Sequence, residues 1–370
     1  MKIQFVDLYA QYLTIKEEID SAIGAVIRDS LYIRGPFVEE FEREYARLFN
    51  SNNCVSCANG TDSLYIAMKA LGVGIGDEVI TTAHSWISTA ETITQAGASV
   101  KFIDTDPNTY TINPELISEK ITKKTKGIIP VHLYGQPADM DPIMEIAKAN
   151  KLWVIEDCAQ SHLACYKGRL TGTIGDVGSF SFYPGKNLGA YGDAGALITN
   201  NTELALKMAC FARHGGLKKG QHEIEGINSR LDGLQAAILN VKLPHLAKWT
   251  LERRRIASHY NELLDGVGDI IRPYVADERS HVYHLYVIRT KSRNELMSHL
   301  KDRGVPTVLN YPIALPFLQA YRYLGHNTNE FPVAYSHQSE ILSLPIYPEM
   351  TNEMVEYVVD QIKGFFLSEK

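Results

Sequence analysis

The segment Ser179-Phe-Ser-Phe-Tyr-Pro-Gly-Lys-Asn-Leu-Gly-Ala-Tyr-Gly-Asp-Ala-Gly-Ala-Leu-Ile-Thr-Asn200 contains two apolar, strand-like runs on either side of a Pro-Gly turn. The pattern predicts that this turn carries one lysine, Lys186, into the interior of the protein. Burial lowers the pKa of a lysine, and the resulting neutral amine is a nucleophile toward carbonyl groups. The alternative is a lysine in a surface loop, where most lysines are found. Other motifs in the sequence are needed to distinguish a buried, reactive lysine from a surface lysine.

The composition is typical of a soluble globular protein with one large and one smaller domain, since 370 residues are 45% hydrophobic and 22% charged. A net charge of −6 argues against nucleic acid or an anionic membrane as the main partner. No apolar run approaches the ~20 residues of a membrane span, and the N-terminus lacks the apolar core of a signal peptide. Five cysteines fit a reducing compartment, so we expect a cytoplasmic location without membrane association.

The Cys54-Val-Ser-Cys57 motif has the spacing of a redox site or of half a zinc site. No second CxxC pair follows, and no downstream histidine pair has zinc-finger spacing. We therefore interpret both cysteines as buried strand residues and expect no metal site.

Apolar strands alternate with helical stretches between about residues 54 and 200. Strands are predicted at 54–57, 78–82, 99–104, 127–132, 152–157, 177–182 and 194–199. Helices are predicted at 61–71, 88–96, 113–120 and 139–150. This alternation indicates an α/β fold whose sheet is mixed but mostly parallel, with flanking helices. Ligands of such sheets bind beyond the carboxyl ends of the strands.

The pattern changes toward the C-terminus and predicts a smaller α+β domain. An amphipathic N-terminal helix at 11–29 and helices at 203–213 and 230–262 complete the larger part. Strands at 282–289 and 305–310 with helices at 292–303 and 351–366 form the smaller one. We place the large domain at 1–245 and the small domain at 246–370, with the long helix as the connector.

A possible phosphate site lies where the first predicted strand meets the helix that follows it. Gly60 and Thr61 would offer free backbone N–H groups, a hydroxyl and the positive end of the helix dipole. The alternative is that Thr61 or Asp62 only caps the helix.

A carboxylate, Asp157, ends the buried strand Leu152-Trp-Val-Ile-Glu-Asp157. Such a carboxylate often only terminates a strand, but it can also pair with the pyridine nitrogen of pyridoxal 5'-phosphate (PLP) and keep that nitrogen protonated. Gln160 could then contact the ring hydroxyl, unless it is an ordinary polar loop residue. Together with Lys186, these residues predict a PLP site.

Two further side chains fit that site. Trp86 could stack on the cofactor ring, although a tryptophan in the core is the simpler interpretation. Ser181 could join the phosphate site, or it could be an ordinary strand serine. All of the candidate residues except Lys186 and Ser181 are expected to follow strands at one edge of the sheet.

The chain resembles the DegT/StrS family of PLP-dependent sugar aminotransferases, which have fold type I of the aspartate aminotransferase superfamily. The resemblance covers nearly the whole chain and involves several separate motifs in the same order. These motifs are Phe5-Val-Asp-Leu8, Asn59-Gly-Thr-Asp62, Gly76-Asp-Glu-Val-Ile80, Ile155-Glu-Asp-Cys-Ala-Gln160, Phe180-Ser-Phe-Tyr-Pro-Gly-Lys-Asn187, Gly226-Ile-Asn-Ser-Arg-Leu-Asp-Gly-Leu-Gln-Ala-Ala237 and Tyr311-Pro-Ile313.

The resemblance implies that Lys186 forms the Schiff base with PLP and later moves a proton, with Asp157 as the partner of the ring nitrogen. It also implies that Asn228 reaches the phosphate from a second subunit, so that a homodimer shares its active sites. The implied cofactor-binding residues are Gly60, Thr61, Trp86, Asp157, Gln160, Ser181, Lys186 and Asn228.

The substrates implied by the resemblance are nucleotide-linked keto-sugars with L-glutamate as the amino donor. Glutamate would convert the cofactor to pyridoxamine 5'-phosphate, and the sugar would then receive the amine. The sequence from Tyr183 to Asp193 resembles that of family members that aminate C3 of a dTDP-3-keto-6-deoxyhexose. Their products are used for surface polysaccharide (such as O-antigen) or another glycan. UDP-linked 3-keto or 4-keto sugars are the alternatives. A PLP-binding regulatory protein is an alternative of another class.

Candidate substrate contacts are Tyr183, His214, Arg230 and Tyr311. The sequence departs from the family pattern at Asn310-Tyr-Pro-Ile-Ala-Leu-Pro316, where the family often has histidines. This departure leaves open which group would contact the sugar there.

Overall fold

Residue 1 and residues 3–368 are described in a computed structural model of the chain. The α-helices are α1 (Leu8–Thr14), α2 (Lys16–Asp29), α3 (Pro36–Leu48), α4 (Gly60–Ala70), α5 (Ser88–Gln95), α6 (Met140–Asn150), α7 (Thr202–Ala212), α8 (Gly233–Lys242), α9 (Leu246–Leu263), α10 (Arg293–Asp302), α11 (Pro332–Glu340) and α12 (Asn352–Ser368). Short 3-10 helices lie at Pro114–Leu116, Ser118–Lys120, Leu133–Gly135, Leu243–His245, Leu315–Phe317, Gln319–Leu324 and Thr328–Glu330.

The strands are β1 (Asn53–Cys57), β2 (Glu78–Thr82), β3 (Ser99–Ile103), β4 (Thr125–Ile129), β5 (Trp153–Asp157), β6 (Cys165–Tyr166), β7 (Arg169–Leu170), β8 (Val177–Ser181), β9 (Gly195–Thr199), β10 (Arg279–Ser280), β11 (Tyr286–Arg289) and β12 (Ile341–Leu344).

The main sheet has seven strands in the order β1-β9-β8-β5-β4-β2-β3. β9 pairs antiparallel with both β1 and β8, while the other neighbouring pairs are parallel. β9 is therefore the one strand of this sheet that runs against the rest, and the predicted mixed, mostly parallel α/β sheet is confirmed. The carboxyl ends of the six remaining strands lie at one edge.

The strands form where apolar residues can be buried on both faces, as a helix-covered parallel sheet requires. Val177–Ser181 and Gly195–Thr199 are buried along their whole length. Both cysteines of the CxxC motif lie in β1 and are free thiols, as expected for strand residues. None of the helices among the described residues is long and apolar enough to cross a bilayer.

Several sequence predictions need correction. The predicted helix at 113–120 is a pair of 3-10 turns, and no strand forms at 305–310, where Val308 makes only a single bridge to Ser343. The predicted helix at 230–262 is divided into α8 and α9 by a 3-10 turn at Leu243–His245, because Pro244 lacks the N–H that a continuous helix needs.

Helix α3 is absent from the sequence predictions, although it carries ordinary signals. Pro36 occupies its first turn, and Val38, Phe41 and Tyr45 are buried on one face. This face packs against Phe180 and Phe182, which precede the lysine turn in the chain.

The C-terminal part has its own core around β11, β12, α9, α10 and α12. That core also includes Ile3 from the N-terminus, whereas Leu315 and Phe331 pack against the core of the main sheet. Contacts therefore cross residue 245 in both directions, and the division into 1–245 and 246–370 stays a prediction.

Candidate active site

A cavity of about 650 Å³ opens at the carboxyl edge of the main sheet. Nine of the residues singled out from the sequence line it: Gly60, Thr61, Trp86, Asp157, Gln160, Ser181, Tyr183, Lys186 and Tyr311. Ser181 ends β8 and Lys186 follows it, and β8 is parallel to β5. Both residues thus lie at the same edge of the sheet as the other candidate residues. The expectation that only the other candidates follow strands at this edge was therefore wrong.

The turn that carries Lys186 forms as the sequence suggested. The Lys186 backbone N–H donates to the Tyr183 carbonyl at 2.8 Å, which closes the turn around Pro184 and Gly185. The Lys186 side chain reaches the cavity, and burial lowers its pKa to about 8, against a smaller opposing effect of the Asp157 carboxylate. A substantial fraction of the amine is therefore neutral near physiological pH, as a nucleophile requires.

Asp157 is 5% exposed at the end of β5. Its Oδ2 accepts a hydrogen bond from the Thr89 hydroxyl at 2.8 Å, and its Oδ1 accepts one from the Ala159 N–H at 3.1 Å. Burial raises the pKa of this carboxyl, while the two donors and Lys186 lower it. The donors compensate the buried charge and aim the carboxylate into the cavity as an acceptor for a cationic N–H group.

Free hydrogen-bond donors converge at the start of α4. Asn59 caps this helix by accepting from the Asp62 N–H at 2.8 Å, so the cap is neither Thr61 nor Asp62. Within the described chain, the N–H groups of Gly60 and Thr61 have no acceptor, as expected for a first helical turn. The Thr61 hydroxyl lies 2.7 Å from that of Ser88. Such a set of donors suits a phosphate group.

The backbone approaches closely at this point. A Cβ on Gly60 would lie 2.6 Å from the Ser181 Cβ, closer than real side chains come. Glycine therefore allows the first turn of α4 to pack against the end of β8, which places the Ser181 hydroxyl beside the free N–H groups.

Gln160 has a fixed orientation. Its Oε1 accepts from the Tyr134 backbone N–H at 2.6 Å, so its Nε2 is the donor, and this atom donates to the Tyr311 hydroxyl at 2.9 Å. The Tyr134 hydroxyl in turn hydrogen-bonds the Asn310 carbonyl. These bonds connect the part of the cavity wall formed by Gln160 and Tyr134 with the segment around Tyr311.

Trp86 and Tyr183 lie at the mouth of the cavity and are 58% and 59% exposed. The Trp86 ring lies 5.5 Å from that of Tyr311. Trp86 is thus not a core residue, and its face is accessible to a flat group inside the cavity.

Three predicted residues do not line the cavity: Asn228, His214 and Arg230. They lie together on two adjoining loops, where Arg213 pairs with Asn228 and the His214 N–H donates to the Ile227 carbonyl at 2.9 Å. Ser229 hydrogen-bonds the Ala58 N–H at 3.0 Å, so these loops abut the chain just before Gly60. Their predicted roles stay predictions.

Sequence reasoning missed several residues of the lining, notably Thr89, Asp193 and His284. Thr89 follows Trp86 by three positions, but no local pattern indicates its bond to Asp157, which is 68 residues away. His284 comes from the C-terminal half and has no recognisable motif.

His132, Glu156 and Cys158 are close enough together to suggest a metal site. However, Glu156 already accepts bonds from the N–H groups of Gly172, Ile174 and Gly175 and pairs with His132 at 2.9 Å. The buried carboxylate fixes the loop after β7, so the cluster is structural.

Comparison with known proteins identifies the family to which the chain belongs. Residues 13–363 match the model of the DegT/DnrJ/EryC1/StrS aminotransferase family. The crystal structure of S. venezuelae DesV in complex with a ketimine intermediate aligns with a TM-score of 0.96 at 38% identity, covering 99% of this chain and 98% of that one.

Three relatives match along nearly their full lengths. The "pleiotropic regulatory protein" of Geobacillus stearothermophilus is 45% identical, covering 99% of both chains. The UDP-2-acetamido-2-deoxy-3-oxo-D-glucuronate aminotransferase of Pseudomonas aeruginosa is 42% identical, covering 96% of this chain and 98% of that protein. The dTDP-3-amino-3,6-dideoxy-alpha-D-galactopyranose transaminase of Aneurinibacillus thermoaerophilus is 42% identical, covering 98% and 99%.

Proposed function

Because the chain belongs to the DegT/DnrJ/EryC1/StrS aminotransferase family and is a PLP-dependent sugar-nucleotide aminotransferase, we propose that it aminates C3 of a dTDP-linked 3-keto-6-deoxyhexose. L-Glutamate is the proposed amino donor, and the product serves surface polysaccharide or another glycan. The observation that carries the aminotransferase chemistry of this proposal is the half-buried side chain of Lys186, which shares one cavity with the Asp157 carboxylate.

The chemistry of the cavity fits PLP. Gly60, Thr61 and Ser181 offer donors to the phosphate, Asp157 offers an acceptor to the ring N–H, and Trp86 offers an aromatic face. The donor Nε2 of Gln160 suits the ring hydroxyl. When bound, PLP withdraws electrons from the substrate carbon to which the transferred nitrogen is attached.

Lys186 has two tasks in this reaction. Its neutral amine would hold the cofactor, and the same amine would accept a proton from the substrate carbon or donate one to it. A lysine pKa of about 8 suits both tasks near neutral pH, because the amine can accept the proton and return it. Asp157, fixed by Thr89, keeps the ring nitrogen protonated.

The identity of the sugar rests on sequence similarity. Relatives of equal identity act, by their names, on a dTDP sugar and on a UDP sugar, and both are named for nitrogen chemistry at C3. The segment from Tyr183 to Asp193 resembles members that aminate C3 of dTDP- or UDP-linked 3-keto sugars, and we propose the dTDP-linked sugar first. Its proposed contacts are Tyr183, Tyr311, His214 and Arg230. A UDP-linked 3-keto sugar or a 4-keto sugar is the alternative.

A homodimer is part of the proposal. Asn228 is exposed and lies outside the cavity of its own chain, although its loop abuts the chain near Gly60. A second copy of the chain would bring this asparagine to the phosphate donors of its partner.

A second candidate, a PLP-binding regulatory protein, is favoured by the name of the Geobacillus relative. A regulator needs neither a reactive lysine nor a carboxylate at the ring nitrogen, whereas the cavity of this chain contains Lys186 and Asp157 as candidates for both. Addition of L-glutamate to the holoprotein separates the candidates: an aminotransferase loses its ~410–430 nm absorbance band, typical of PLP bound to a lysine, and releases 2-oxoglutarate, whereas a regulator does neither.

The decisive experiment incubates the protein with L-glutamate and a panel of dTDP- and UDP-linked 3-keto and 4-keto sugars, followed by NMR of the product. We expect a C3 amine on the dTDP-linked 3-keto sugar. A preference for a UDP sugar or an amine at C4 would contradict the substrate assignment but not the class of enzyme.

A further inference from the structure

Lys242, a fully buried lysine, ends α8. Lys242 is only 1% exposed. Burial lowers the pKa of its amine to about 8, and the negative charge of Glu349 partly opposes this shift. The cavity lining does not include Lys242, so it has no place in the chemistry described above. A buried ammonium is unfavourable unless other groups compensate its charge.

Besides Glu349, two groups that compensate this charge lie in the loop that follows Lys186. Lys242 Nζ donates to the Gly189 carbonyl at 2.8 Å and lies 4.3 Å from the centre of the Tyr191 ring. A carbonyl dipole and an aromatic face are both favourable neighbours for a cation. The hydrogen bond and the ring contact of this ammonium are thus both with residues three to five positions beyond Lys186.

A second side chain of α8 contacts the same loop. Gln235 lies two helical turns before Lys242 and therefore on the same face of the helix. Its Oε1 accepts from the Tyr191 N–H at 2.8 Å. One face of α8 thus binds the loop at two backbone groups, the Gly189 carbonyl and the Tyr191 N–H.

The loop at 189–191 is packed against the turn that carries Lys186, so a movement of the loop would also move the turn. A Cβ on Gly189 would lie 2.2 Å from the Pro184 carbonyl oxygen, so the segment after Lys186 packs directly on the turn before it. The Ala190 N–H also donates to the Phe182 carbonyl at 2.8 Å. A displacement of Gly189 would therefore change the turn from Tyr183 to Lys186.

We propose that Lys242 is a positioning residue for Lys186: by binding the Gly189 carbonyl it fixes the turn that holds the Lys186 amine in the cavity that Asp157 also lines. The inference rests on the proposed role of Lys186 as the reactive amine. It adds a residue outside the cavity to those on which the reaction depends.

The test measures how fast the apoprotein forms its covalent bond with PLP at pH 6.5–10, followed by absorbance. Only the neutral amine attacks, so the midpoint of the rate profile reports the pKa of Lys186 in the presence of its charged neighbour Asp157 and the nearby His162 and His284. In Lys242→Met the loosened turn admits water to Lys186. We expect the midpoint to rise by about one unit and the rate at pH 7.5 to fall about tenfold.

Two further variants separate positioning from general destabilisation. Arg293→Met removes another buried cation that donates to backbone carbonyls, those of Gln338 and Ile341, far from the lysine turn. It should lower the melting temperature without moving the midpoint. Gln235→Leu releases the same loop at Tyr191 and should raise the midpoint, which keeps the test decisive if Lys242→Met does not fold.

An unchanged midpoint in Lys242→Met, or in Gln235→Leu where the first variant does not fold, would overturn the proposal. A shift of equal size in Arg293→Met would also overturn it. Covalent bond formation by Lys186→Ala at the wild-type rate would instead refute the role of Lys186 itself, so the two failures are distinguishable.

Discussion

The Thr89 hydroxyl donates a 2.8 Å hydrogen bond to Asp157 Oδ2, so the carboxylate that ends β5 depends on α5, the helix that follows β2. Thr89 is 1% exposed, and this bond replaces water that the buried carboxylate has lost. Hydrogen bonds to charged groups contribute about 1.5–3 kcal/mol. The proposed pairing of Asp157 with the cofactor's ring nitrogen would therefore depend on Thr89.

Thr89→Val should raise the pKa of Asp157 further and weaken its pairing with the ring nitrogen. We expect kcat to fall about tenfold or more, together with weaker cofactor binding, measured by steady-state kinetics and equilibrium dialysis. Thr92→Val is the matched control, because the Thr92 hydroxyl donates only to the Ser88 carbonyl within α5. Equal losses in both variants would show that the effect is one of helix stability.

Gly60→Ala tests the close approach of α4 to β8. The added Cβ would lie 2.6 Å from the Ser181 Cβ, so the free N–H groups at the helix start must move. We expect the dissociation constant for PLP to rise about tenfold or more, with a stability loss of about 1–3 kcal/mol. Gly24→Ala in α2 meets nothing within 4 Å and should change neither quantity for the worse. Unaltered PLP affinity in Gly60→Ala would exclude a phosphate site here.

The pH dependence of cofactor attachment follows from the lysine pKa. Burial lowers the pKa of Lys186 to about 8, so the neutral fraction grows as pH rises and is nearly complete above about pH 9. The rate at which wild-type apoprotein bonds PLP should therefore rise through pH 8 and then level off. A rate that keeps rising to about pH 10.4 would indicate an ordinary, solvated lysine.

Asn228 can be tested by subunit complementation. Lys186→Ala and Asn228→Ala should each be nearly inactive alone. In a mixed dimer, the subunit that retains Lys186 receives Asn228 from its partner, so an equal mixture should recover roughly a quarter of the wild-type activity. No recovery, despite mixed dimers detected by mass spectrometry, would mean that Asn228 does not act across subunits.

The sequence predicted the parts of the fold that depend on local patterns. Runs such as Leu152–Asp157 are apolar because both faces of the sheet are covered, and the Pro-Gly turn places Lys186 at the end of such a run. These features could be predicted because each depends on residues that are close together in the chain.

Features that depend on distant contacts could not be predicted in this way. Gln160 obtains its orientation from Tyr134 and Tyr311, and the latter is 151 residues away. Lys242 lies 53 residues from the carbonyl that it binds. Helix α3 is different, since Pro36 and its apolar spacing were visible in the sequence.

Chemical mapping of the reactive lysine tests the central claim most directly. The holoprotein is treated with sodium borohydride, which makes the bond between PLP and its lysine permanent, and is then digested and analysed by peptide mass spectrometry. We predict the label on Lys186, within the peptide that contains Tyr183-Pro-Gly-Lys186. A label on Lys242 or on a surface lysine, with Lys186 unmodified, would contradict the account.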